Sequence, residues 1–233
     1  MLAAAWISGC AGGGAEVRVT ADPSAWVPLH VAVLAPALAP SCIPSAQGLP
    51  EGLAPPTAGQ ARSAIAAALT AALAAGATML EIREAPEASG TPSSVPREAL
   101  AREYLEARTV DPATAQAAGA GLGADAVLVI AAIEYGPQAD PDASGVSRSV
   151  STTVGTTDLG ISSAATHVSV WFGASLRCAL VRVSDGAVLW DAAARDRRKR
   201  SLIAQTSLES VLATAASALG AAFPWSLAVP PAE

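Results

Sequence analysis

Eight consecutive apolar residues, Ala126 to Ile133 (AVLVIAAI), form the most apolar run of this chain and restrict its fold more than any other segment. The run has the length of a strand, yet no polar residue alternates through it as in a strand with one wet face. Both sides must therefore be covered, which is the situation of a central strand in a sheet with helices packed against it. Flanking segments supply the rest of such a sheet. Leu29 to Ala35 is a short Val-rich run ended by Pro36 and predicts a buried first strand. Pro36 to Pro56 holds six prolines and predicts a loop with little regular structure. Thr57 and Gln60 are spaced as a capping box for a helix to about Ala75, closed by Gly76. Met79 to Arg83 predicts a second strand, Pro96 to Ala107 a helix, and Asp111-Pro112 the start of another. A long strand is expected over His167 to Val183, a hairpin turn at Ser184 to Ala187, and a partner strand over Val188 to Arg195. The last helix, Ser207 to Ala222, places Leu208, Val211, Leu212, Ala215 and Leu219 on one face before Pro224 stops it.

The expected class is α/β: a single domain with a mixed sheet of about five strands and helices packed against it. Hydrophobic residues make up 52% of the 233, but many are alanine. Burial is worth about 25 cal/mol per Å² of apolar surface, so the core must lean on the fewer Leu, Ile, Val and Trp. Ser63 to Leu80 is apolar enough to raise the question of a membrane span. Its bulky residues Ile65, Leu69 and Leu73 instead make one helical stripe, as in a helix lying on a sheet. A net charge of −6 argues against a general nucleic-acid binder.

Residues able to carry chemistry are few. His30 and His167 each stand at a predicted strand start with no nucleophile, Walker or zinc motif around them, and both read as structural. Asp140 to Gly145 has the look of half a calcium loop, but Ser151 occupies the twelfth position where an acid is needed. No catalytic set, metal site or cofactor is expected, and the chain reads as a non-enzyme. Arg195, Arg197, Arg198, Lys199 and Arg200 are the densest charge run of an otherwise acidic protein. They read either as a solvated strand end or as a contact for an anionic surface, lipid headgroups or an acidic partner protein. Cys42 and Cys178 admit one intramolecular pair, or two buried thiols.

Ile7-Ser8-Gly9-Cys10 resembles the lipobox of bacterial lipoproteins: an aliphatic residue, two small residues, then the cysteine. The resemblance implies acylation of Cys10 after a partial signal peptide, residues 1–9, with residues 10–28 as a flexible tether. No Lys or Arg precedes Leu2 to Ile7, so either the leader begins upstream or Cys10 is an ordinary thiol. The domain is then 29–226, with a disordered tail at 227–233. Ala11 after the cysteine implies delivery to the outer membrane of a Gram-negative bacterium, facing the periplasm.

Two further patterns support this reading. Gly123-Ala124-Asp125-Ala126-Val127 and the hairpin Leu176 to Trp190 (LRCALVRVSDGAVLW) resemble segments of periplasmic lipoproteins. The group includes the curli-secretion lipoprotein, the penicillin-binding-protein activator lipoproteins and the N-terminal domain of TolB-like proteins. The resemblance implies a sheet with a buried Trp190, Leu189 on the opposite side, and Gly186 at a positive-φ turn position. Asp125 is placed to hydrogen-bond backbone at the strand entry. Its functional implication is a non-catalytic binding or accessory module in an envelope assembly, attached to the membrane by its lipid and working with an envelope protein. A pore-forming secretion subunit like the curli lipoprotein is the alternative, and would need amphipathic membrane strands within Ser147 to Val170.

Overall fold

A computed structural model describes residues 14–18, 28, 30–76, 81–85, 94–139, 169–200 and 206–224. The apolar run opens β5 (Ala126–Ala139), which has β6 (Val170–Arg182) antiparallel on one side and β2 (His30–Val33) parallel on the other. Outward from β6 lie β7 (Val188–Lys199) and then β1 (Gly14–Arg18), both antiparallel to their neighbours. Outward from β2 lies the parallel strand β4 (Glu81–Glu84), giving the order β1-β7-β6-β5-β2-β4. The class is the expected one, a single α/β domain with a mixed sheet.

Helices cover the sheet on both sides. On one, α1 (Ala58–Gly76) and α4 (Leu208–Ala221) lay Ile65, Leu69, Leu73, Val211, Leu212 and Leu219 onto Val31, Val33, Leu128, Ile130, Leu176 and Leu180. On the other, α2 (Ser94–Ala107) and α3 (Pro112–Gly119) set Leu100, Tyr104, Ala115 and Ala118 against Ala32, Leu34, Val127, Val129, Ala179 and Val181. Odd and even residues of β5 thus enter different cores, which is why the run needs no polar alternation. No described helix is long and apolar enough to cross a membrane.

Local chemistry sets the helix starts. The Thr57 N–H donates to Gln60 Oε1 at 2.9 Å, and the Gln60 N–H donates to Thr57 Oγ1 at 3.3 Å. Asp111 Oδ2 accepts from the backbone N–H of Ala113 and Thr114 at 3.0 and 3.1 Å. Ser207 and Ser210 form a reciprocal box before α4. Each satisfies amide donors that the first helical turn leaves unpaired.

Several expectations need correction. Gly14–Arg18, within the segment read as tether, is a strand. Pairing there satisfies the outer backbone groups of β7, which would otherwise be a bare sheet edge. The proline-rich loop contains a two-residue strand, β3 (Ala37–Leu38), parallel to Ala131–Ala132 of β5. β5 itself runs six residues past the apolar run. A register shift between Ala132 and Glu134 leaves Ile133 unmatched and 42% exposed, so the run is not buried to its end.

The β6–β7 hairpin departs from expectation at two places: β7 runs on to Lys199, four residues past the expected end at Arg195, and Leu189 lies on the unexpected side. Trp190 is fully buried, donates its indole N–H to Ala222 O at 3.1 Å and meets Phe223 edge-on with ring centroids 5.2 Å apart. Gly186 has φ +72°, and a side chain there would also run into the Val110 carbonyl. Leu189, however, joins the same core cluster as Trp190. Leu180 pairs with Trp190 while Val181 pairs with Val188, so a bulge at Leu189 cancels the alternation that would have turned it away.

An open cationic face of the sheet as candidate functional site

Strand geometry divides the Arg/Lys run. Successive side chains of β7 point to opposite faces of the sheet, so Arg195, Arg197 and Lys199 share one face, while Asp196 and Arg198 share the other. The second group is structural. Asp196 is 2% exposed and accepts from Arg198 Nε at 2.8 Å, and Arg198 Nη2 donates to Thr214 Oγ1 on α4 at 2.8 Å. Arg198 therefore ties β7 to a helix, with its side chain still 44% exposed. Arg200 lies just past β7, exposed, with its backbone N–H donating to Val170 O at 2.7 Å.

Arg195, Arg197 and Lys199 are exposed on the face that α2 and α3 occupy further along. There the helices meet Val127, Val129, Ala179 and Val181. Past these, cross-strand register puts Glu134, Gly136 and Gln138 of β5 beside Ser175, Gly173 and Trp171 of β6, and those beside Arg195, Arg197 and Lys199. Arg195 Nη2 lies 3.1 Å from Glu134 Oε2, Arg197 Nη2 donates to Gln138 Oε1 at 3.1 Å, and Gln138 Nε2 donates to Glu134 Oε1 at 3.1 Å. The Arg197 guanidinium carbon stands 5.2 Å from the Trp171 ring centroid and Lys199 Nζ 6.0 Å from it. Cations over an indole face are held by the ring quadrupole.

Glu134 reaches its arginine because residue 173 has no side chain. A Cβ on Gly173 would collide with the Glu134 carboxylate. The result is a row in which Glu134 and Gln138 hold two guanidinium groups upright beside a half-buried indole. Each bound guanidinium keeps further N–H donors for a carboxylate or phosphate. The arrangement can bind an anionic surface.

The other candidates resolve differently. His30 is half exposed, between Glu81 at 3.4 Å and Asp125 at 3.5 Å, and its backbone N–H donates to Asp125 Oδ2 at 3.0 Å. Asp125 thus makes the strand-entry hydrogen bond its position suggested. Cys42 and Cys178 are both buried free thiols in the core beneath α1 and α4; no disulfide joins them. Burial, and then the Glu134 carboxylate, pushes the Cys42 thiol up to about 11; burial and then Asp191 push Cys178 up as well. Thiols held neutral in this way are poor nucleophiles. Among the described residues no three His, Cys, Asp or Glu side chains gather as a metal site. Cys10, His167, Asp140 to Gly145 and Ser147 to Val168 lie outside the described residues.

Sequence reasoning found the cations but missed their partners. Trp171, Gly173, Glu134 and Gln138 are ordinary residues until the register of three strands is known. The two-residue spacing of Trp171 and Gly173, matched by Arg197 and Lys199, was the only available signal.

No protein-family profile and no curated protein matches the chain. Among solved structures it is similar to the PelC dodecamer from Paraburkholderia phytofirmans, with 19% identity over 89% of this chain and 96% of that chain and a TM-score of 0.45. It is also similar to a lipoprotein from Neisseria meningitidis, with 18% identity over 82% of this chain and 95% of that chain and a TM-score of 0.41.

Proposed function

We propose that the protein is a lipid-anchored component of a bacterial cell envelope, acting as a binding or accessory module without a catalytic role. Its working surface is the open half of the sheet. The observation that carries this is the row of Arg195, held by Glu134, Arg197, held by Gln138, and Lys199, the last two over the Trp171 ring, in a protein whose net charge is −6. A random scatter of surface charge would not be supported by its own hydrogen-bond frame. The sequence around Cys10 supplies the anchor, and Ala11 directs it to the periplasmic side of the outer membrane.

The test is expression of the full chain behind a complete signal peptide in a Gram-negative host. Cys10 should carry acyl chains by mass spectrometry and the protein should partition with membranes, whereas Cys10→Ser should release it or leave it unprocessed. Cross-linked envelope partners should be recovered less as salt rises and less with Arg195→Ser, Arg197→Ser and Lys199→Ser combined. An unmodified Cys10 in the host would remove the anchor from this reading, and turnover of an envelope substrate by the purified protein would remove the non-catalytic role.

A further inference from the structure

The strand that follows the lipobox lies beside the cationic strand. β1 runs antiparallel to β7, with Gly14 opposite Arg195 and Arg18 opposite Asp191. The chain thus enters β1 from the side toward which β7 continues to Arg197 and Lys199. Cys10 precedes Gly14 by four residues, and four residues span at most about 14 Å when fully extended. The four residues from Arg195 to Lys199 cover about the same distance along β7. Four extended residues are enough to carry Cys10 as far as the Lys199 end of the sheet, so an acyl chain on Cys10 and the Trp171–Arg197–Lys199 patch can meet the same membrane.

From this juxtaposition we infer that the Trp171–Arg197–Lys199 patch binds anionic phospholipid headgroups of the membrane holding the anchor, so that the sheet docks on the bilayer at a fixed orientation. The inference rests on the reading of Cys10 as the acylated residue, and names what the cationic face binds. Charge and shape both favour a lipid surface over an acidic protein segment. Arg197 and Lys199 flank a half-exposed indole, the side chain that settles at headgroup depth with its ring in the interface and cations beside it. Two acids beside these strands do not compete for the patch: Asp196 is buried on the opposite face and Glu134 is bound by Arg195.

The experiment uses the full chain with Cys10→Ser, so that any binding is the patch's own, and vesicles of phosphatidylcholine alone or with phosphatidylglycerol. Flotation should show binding only to the phosphatidylglycerol vesicles, lost at high salt. Arg197→Ser with Lys199→Ser should weaken it about 30-fold, near 5-fold per cation. Brominated phosphatidylglycerol should quench part of the tryptophan fluorescence in the Cys10→Ser protein and no more of it in Trp171→Leu than in lipid-free controls. Equal binding to both vesicle types, no binding, or unchanged binding by the double variant would overturn the inference. So would capture of polyglutamate without capture of vesicles, which would assign the patch to an acidic protein. Failure of the Cys10 reading is seen separately, as an unmodified cysteine in the host-expressed wild type.

Discussion

The two faces of β7 carry the same kinds of residue to opposite ends. On the α4 side, Trp190, Ala192, Ala194 and Asp196 are buried and Arg198 is tied to the helix. On the other side, Arg195, Arg197 and Lys199 are exposed beside Trp171. An arginine and a tryptophan occur in both sets. What separates them is which face a helix covers: where α4 packs, a charge must be paired and an indole must find a hydrogen bond; where no described helix packs, the same groups remain available to a ligand. Residue identity therefore predicts little about role along this strand, and parity predicts much.

Substitutions on the two faces should separate in stability. The largest loss is expected for Trp190→Ala, about 3–5 kcal/mol as for other large-to-small core changes. It removes the ring packed on Phe223 and strands the Ala222 carbonyl. Denaturant unfolding would measure it, and a loss under about 1 kcal/mol would place Trp190 outside the core.

Arg198→Ser comes next. It leaves the buried Asp196 carboxylate without its guanidinium donor, which should cost about 1–3 kcal/mol. A double-mutant cycle with Asp196→Asn isolates the pair, because the second substitution should matter much less once the first is made. Additive losses would mean that the two side chains act independently and that the faces of β7 differ less than the geometry indicates.

The smallest effect belongs to the open face. Arg197→Ser with Lys199→Ser should change stability by no more than about 0.5 kcal/mol, as for surface positions in general. A loss as large as that of Arg198→Ser would make the cationic row part of the fold and not a contact surface.

Much of the sheet was readable in advance because its signals are local. Ala126 to Ile133 announced a strand covered on both faces, Thr57 with Gln60 announced a helix start, and Asp185-Gly186 marked the turn. The bulges at Ile133 and Leu189 were not readable. A bulge is settled by the pairing of two strands, and neither strand alone encodes the extra residue. The candidate site was half legible for the same reason: Arg195 to Arg200 stands out as a charge run, whereas Glu134 and Gln138 meet it from a strand some sixty residues earlier.

The sequence by itself determined that β5 would be buried, where helices would start, and that a cationic run would begin near Arg195, since hydrophobic length, capping side chains and charge act over a few residues. Only the tertiary structure decided that Arg198 is a strut, that Gly173 makes room for Glu134, and that Gly14–Arg18 is a strand with Gly14 opposite Arg195. Those facts depend on register between strands distant in the chain, and register is set when whole faces are buried together.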